Sequence, residues 1–351
     1  MLRILIGIFL TLLIFVPPAQ AQLWHALPAL SVTAGKPDAQ FSNDGKKVFY
    51  STGDGNVENI WSVVVADKYG RITVGPGTKA TKVTSFFDRG VVRFFHLLGS
   101  ADLLYMRATD NGKDYHIFRI ADDGSGAPLD ITPDPDGVTN IILGASYNGR
   151  YIYYTSNKVN RDKTDVYRYD AQQYTSEDVF PNDKDYVALA WSRDQTKLLM
   201  QRPSTGELSL YDMETTERDP IALPNNNPLV EAILDPVSQD IIVLQRSGVD
   251  ETDELTRPFS SGKWKTFVTD KISSIDFSPG GKYEVSSAHN VWKVKDRDSN
   301  ALLPLPGGTR PIAFAPKGTL LLYTMPASDG TSQLYLYDIP KNSSTLLGSI
   351  Q

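Results

Sequence analysis

One phrase returns seven times along the chain, and it constrains the fold more than any other feature. A short apolar-aromatic strand leads into a turn of Gly, Asp, Asn or Pro, then a β-branched and aromatic run, a polar loop, and a second aromatic run that often ends in Asp. The clearest copies are Phe41-Ser42-Asn43-Asp44-Gly45 before Lys47-Val48-Phe49-Tyr50, Phe277-Ser278-Pro279-Gly280-Gly281 before Lys282-Tyr283, and Phe314-Ala315-Pro316-Lys317-Gly318 before Leu320 to Tyr323. Aligned on the residue after the first strand, the copies fall at Ser42, Leu97, Ser146, Ser192, Asp235, Ser278 and Ala315, with gaps of 55, 49, 46, 43, 43 and 37 residues. A unit of this size holds four short strands and cannot bury its apolar faces alone, so neighbouring copies must stack. The implied fold is all-β, a seven-bladed β-propeller of four-stranded antiparallel blades.

Strand periodicity supports this blade by blade. In the second copy, Val91 to Leu98 reads as the inner strand, Leu103 to Met106 as the second, His116 to Ile120 as the third and Pro128 to Thr132 as the outer. Asp44-Gly45 and Asn148-Gly149 suit tight hairpins, because Gly and Asn tolerate the positive φ such turns need. Third-strand aromatics are expected to pack between blades. The fifth copy is the weakest. Asp250 to Glu254 reads as an acidic loop and Thr256 to Lys263 hardly as a third strand, so an irregular blade is expected there. No sustained helical periodicity and no Pro/Ser/Gly-rich linker marks a second domain.

The first residues read as an address. One cation at Arg3, an apolar run from Ile4 to Val16, Pro17-Pro18, and Ala19-Gln20-Ala21 make a secretory signal with cleavage after Ala21. Residues 1–21 are thus assigned to the signal, 22–36 to a lead segment and 37–351 to the propeller, with Leu30 to Thr33 a possible added strand. The chain has 35 Lys+Arg against 41 Asp+Glu and a formal net charge of −6. Such a mixed acidic surface lacks the basic footprint of a general nucleic-acid binder. With no Cys, disulfides, catalytic thiols and thiolate metal sites are excluded together. A periplasmic or secreted location follows, without a membrane span in the mature chain.

The phrase at 41–61, from Phe41-Ser42 through Asp44-Gly45-Lys46 to Ile60-Trp61, resembles the propeller repeat of the TolB family. Asp110 to Arg119, Leu129-Asp130-Ile131-Thr132-Pro133, and Asn160-Arg161-Asp162 with Asp165 to Arg168 are similar to the propeller of the prolyl oligopeptidase family. The TolB resemblance implies a periplasmic propeller; the second implies a propeller that gates an α/β-hydrolase domain. The chain ends at Gln351, after a plausible last outer strand from Ser344 to Ile350, so a propeller without a hydrolase domain is expected. Gly144-Ala145-Ser146-Tyr147-Asn148 departs from the nucleophile-elbow pattern at its fifth residue.

Few residues carry chemistry. The four His (His25, His96, His116, His289) form no metal-hydrolase spacing, and His96 and His116 read as structural. Asp134-Pro135-Asp136-Gly137 is a fragment of a calcium loop without its remaining ligands. Catalytic and metal-ligating residues are therefore assigned to none, and no cofactor is expected. Propellers bind where loops entering the inner strands converge. Arg93, Asn140, Asp185, Tyr186, Glu231 and Arg310 are the polar candidates for that axial face. The chain reads as an exported, non-enzymatic binding or scaffold protein with a cell-envelope protein or a small ligand as partner. Two alternatives stay open: a propeller enzyme with an axial site (lactonase, lyase or glycan-acting hydrolase) using Glu231, Asp185 and Asp276, and a detached peptidase propeller.

Overall fold

The computed structural model describes residues 39–350 apart from 55–56, 76–77, 98, 110–111, 147–148, 182–185, 193–195, 249–251, 258–261, 271, 289–290 and 329. The assigned signal, the lead segment with its possible strand at Leu30 to Thr33, and His25 lie outside these residues, as do Asp185 and His289. Among the described residues, strands in chain order form seven four-stranded antiparallel sheets, each contiguous in sequence. First strands of neighbouring blades lie against one another: Ala39–Phe41 contacts both Arg310–Phe314 and Val91–His96, and Val187–Trp191 contacts Leu229–Leu234. The first strands therefore line the axis, and blade 7 closes on blade 1.

Burial explains why the ring forms. Seven apolar clusters occupy the seven seams between successive blades. Phe49 and Ile60 of blade 1 meet Phe94, Leu103 and Tyr105 of blade 2, and Val48, Tyr50 and Val63 of blade 1 meet Leu322, Leu334 and Leu336 of blade 7. A blade alone would leave both of these faces in water, at roughly 25 cal/mol for each Å² of apolar surface. Third-strand aromatics lie in the seams as the pattern implied: Tyr167 and Tyr169 between blades 2 and 3, Tyr211 between 3 and 4, and Trp292 and Tyr337 between 6 and 7.

The repeated phrase has a hydrogen-bond explanation. The Ser that follows the inner strand closes the first hairpin. The N–H groups of Lys47, Tyr151, Lys197 and Tyr283 donate to the hydroxyls of Ser42, Ser146, Ser192 and Ser278 at 2.8–2.9 Å. Gly45 and Gly281 donate to the carbonyls of Ser42 and Ser278 with φ of 71° and 67°, a region where a Cβ is strained. The Asp that ends the third strand closes the last hairpin. Asp170, Asp212 and Asp296 each accept the N–H groups two and three residues on. Arg150 and Lys197 neutralise the first two from the start of the second strand.

Blade 5 corrects the sequence reading. Its third strand is Thr252–Arg257 and its outer strand Lys265–Asp270, so the blade has the regular four strands and Thr252 to Glu254 belong to a strand instead of an acidic loop. Arg246↔Thr252 through Ile241↔Arg257 pair in register with the apolar second strand. Pairing to that buried strand outweighs the polar composition that argued for a loop, a tertiary override of β-propensity. In blade 2 the strands are Val91–His96, Asp102–Ala108, Tyr115–Ala121 and Leu129–Asp130, within two residues of expectation except for a shorter outer strand.

Candidate binding site at the axial entry

The inner strands are Ala39–Phe41, Val91–His96, Asn140–Ala145, Val187–Trp191, Leu229–Leu234, Ile272–Phe277 and Arg310–Phe314. Their first residues lie at one end of the channel, the entry face. Six of them carry a register shift against the second strand. In blades 2, 5 and 6 the shift falls early, and the residue just after it is polar: Arg93, Glu231 and Ser274. In blades 3, 4 and 7 the shift falls two residues later and the equivalent positions hold Ile142, Ala188 and Pro311. A bulge re-aims the side chains beside it, and here the early bulge goes with polar groups near the entry.

Glu231 is held from across a seam. Its Oε2 accepts the Ile275 N–H across the seam at 3.3 Å. Ile275 belongs to the inner strand of blade 6, so the carboxyl covers part of that strand's free edge. Blade 1 repeats the device with an amide. Gln40 donates to the Phe94 carbonyl and accepts the His96 N–H of blade 2, both at 3.0 Å. Burial pushes the Glu231 carboxyl up to about 7, and the charge of Asp276 adds to this; hydrogen bonds from Ile275 and Ser274 oppose it. Near neutral pH the group can both hold and release a proton.

The other candidates divide. Arg93 is partly buried and Arg310 exposed, both on inner strands at the entry end. Asn140 is fully buried and donates to the Tyr115 carbonyl of blade 2 at 3.3 Å. Tyr186 is buried, donates to Glu207 at 2.6 Å and lies under the Arg218 guanidinium. These two tie strands together below the surface. Ser274 and Gln40 were missed by sequence reasoning. Neither stands out in a strand of mixed composition, and only the bulge and the seam geometry reveal them.

The remaining chemistry is structural in form. His96 ends an inner strand at the opposite face, stacked on Phe49 at 5.2 Å, with Nε2 3.4 Å from Asp122, which pairs with Lys47 at 3.0 Å. Burial holds this imidazole below its ordinary value, against the pull of Asp122. His116 pairs with Asp130 at 2.8 Å between third and outer strands. The Asp134–Gly137 turn is held by Asp114, which accepts the Gly137 N–H at 2.5 Å and the Thr139 hydroxyl at 3.3 Å. Among the described residues no group of three or more His, Asp or Glu is placed to hold a metal ion, and no helix is long and apolar enough to cross a membrane.

No protein family and no curated protein matches the chain by sequence. Solved structures do. A prolyl endopeptidase is 12% identical with a TM-score of 0.61, over 94% of this chain and 50% of the peptidase. The chain thus spans half the length of that enzyme. TolB from Acinetobacter baumannii is 14% identical with a TM-score of 0.51, over 90% of this chain and 79% of TolB. An oligogalacturonate lyase solved in complex with manganese is 13% identical with a TM-score of 0.56, over 90% of this chain and 86% of the lyase. At these identities the likeness is one of fold. The chain is a β-propeller of the kind found in TolB and in the propeller of prolyl endopeptidases.

Proposed function

We propose that this protein is an exported propeller that binds a partner or ligand at the axial entry face, with Arg93, Glu231 and Arg310 as its polar contacts. The observation that carries the reading is the early bulge of blades 2 and 5, which sets Arg93 and Glu231 at equivalent positions on opposite sides of the ring. Rigid blades limit the ordering cost of binding there, and the first residues of all seven inner strands converge on that face. Structural likeness to TolB supports an envelope role, and the apolar run at Ile4 to Val16 supports export. The test is co-purification from periplasm. Reversing charge at Arg93 and Glu231 in a variant that still folds removes the partner; reversing Asp250 and Asp253 does not. Loss with the second variant alone refutes the axial reading.

A second reading is an axial-site enzyme. It is favoured by one observation, a Glu231 carboxyl held at about 7, the range useful for general acid–base chemistry. Likeness to the lyase solved with manganese points the same way. Titration of the purified protein with Mn²⁺ or Ca²⁺ tests it. Stoichiometric binding abolished by Glu231→Gln favours this reading, and no binding removes its support.

A further inference from the structure

Charge on the inner strands is sorted around the ring. Apart from His96 at the far end, their described charged residues are four: Arg93 in blade 2, Arg310 in blade 7, Glu231 in blade 5 and Asp276 in blade 6. Blades 7 and 2 are the two neighbours of blade 1, whose inner strand adds the Gln40 amide. One arc of the wall, over blades 7, 1 and 2, is therefore cationic. The arc over blades 5 and 6 is acidic and borders the cationic arc where blade 6 meets blade 7. Between them the inner strands of blades 3 and 4 are Asn140–Ala145 and Val187–Trp191, uncharged throughout and, after the buried Asn140, wholly apolar.

We propose that the channel entry is a site for a carboxylate-bearing ligand held by Arg310 and Arg93, and that Glu231 takes up a proton when the ligand binds. The inference rests on the axial reading above and adds to it the ligand's chemistry. Arg310 is exposed at the first residue of its strand, and guanidinium forks match carboxylates in geometry. With both acids ionised the four charges cancel. A proton on Glu231 leaves the wall net positive.

The surroundings of Glu231 make it the group that responds. Oε2 accepts the Ile275 N–H across the seam, and a side-chain hydrogen bond from Ser274 joins it in favouring the ionised form. Asp276 on the blade 6 inner strand is the charged neighbour that disfavours ionisation. The blade 4 inner strand, Val187–Trp191, carries no ionisable residue, and the second strand of blade 5, Ile241–Arg246, carries one, the exposed Arg246 at its last position. An anion arriving between Arg93 and Arg310 adds a further negative potential, which draws a proton onto Glu231.

The experiment is calorimetry on the mature protein with two carboxylate probes, tricarballylate and a triglutamate peptide, at pH 6 and pH 8 in buffers of different ionisation enthalpy. At least one probe binds, with affinity about three- to tenfold higher at pH 6 and net proton uptake on binding. Arg310→Ala weakens binding about tenfold, the scale of one charge-assisted hydrogen bond. Arg93→Ala does the same where the variant's melting curve stays native. Glu231→Gln, which mimics the protonated carboxyl, removes both the pH dependence and the proton uptake. Binding of tricarballylate alone marks a small acid as the ligand, and binding of the peptide alone marks a peptide. The proposal is overturned if neither probe binds, if Arg310→Ala has no effect, or if the pH dependence survives in Glu231→Gln. Should the probes fail while the Arg93 and Glu231 reversals still remove the periplasmic partner, the axial reading stands and the carboxylate assignment falls.

Discussion

Replacing Glu231 by Gln should stabilise the protein, and by an amount that grows with pH. The carboxyl titrates near 4.5 in the unfolded chain and at about 7 in the folded one. The folded value is raised, so the contribution to stability is complete below 4.5 and is lost as pH rises towards 7. One unit is worth about 1.4 kcal/mol, which sets an upper limit on the order of 3 kcal/mol for the loss at pH 8. Partial exposure and local relaxation reduce this to about 1–3 kcal/mol. A Gln amide oxygen can still accept the Ile275 N–H, so the edge contact survives while the ionisation penalty disappears. Urea denaturation of both proteins at pH 4.5 and pH 8 measures the effect. The variant should match wild type within about 0.5 kcal/mol at the lower pH and exceed it by about 1–3 kcal/mol at the higher. An equal difference at both pH values would show that burial does not raise this carboxyl.

Four further outcomes follow. Phe94→Ala, in the fully buried seam between blades 1 and 2, should cost about 3–5 kcal/mol in equilibrium unfolding; a cost under 1 kcal/mol would argue against that seam. Gly90→Ala should lower the melting temperature or prevent folding, since a Cβ there would sit 2.3 Å from the Glu58 backbone nitrogen, and an unchanged melt would contradict the close approach. His96, held below its ordinary value by burial, should cost native stability as pH falls below about 6.5; proton NMR should find it titrating lower than a model imidazole, and a normal or raised midpoint would refute its burial. Mass spectrometry of the exported protein should find Gln22 as the first residue, whereas an intact Met1 in membrane fractions would mean an anchor.

The fold was legible because its signals are local and repeated. Ser42, Ser146, Ser192 and Ser278 recur because each hydroxyl closes the same hairpin, and Asp170, Asp212 and Asp296 recur because each carboxylate closes the last one. Seven repetitions make such weak signals strong. Blade 5 was misread where the local signal fails: Thr252 to Arg257 is polar, and only pairing with the buried Ile241–Arg246 strand makes it β. The site was legible in part. Arg93, Glu231 and Arg310 stand out as charges in apolar strands. Asn140 and Tyr186 are as polar in sequence, yet both are buried and tie strands together, Asn140 to the Tyr115 carbonyl and Tyr186 to Glu207. The early bulge beside Arg93 and Glu231 is a one-residue shift, which reverses the face a side chain takes, and periodicity alone does not locate it.

Site-specific photocrosslinking in the periplasm tests the central claim most directly. A photoreactive residue is placed in turn at Val92 beside Arg93, at Val230 beside Glu231, and at Leu302 on the outer strand of blade 6. Adducts of one size at 92 and 230, absent at 302, are the result predicted for a partner or ligand at the axial entry. Adducts at 302 with none at the two entry positions would contradict it.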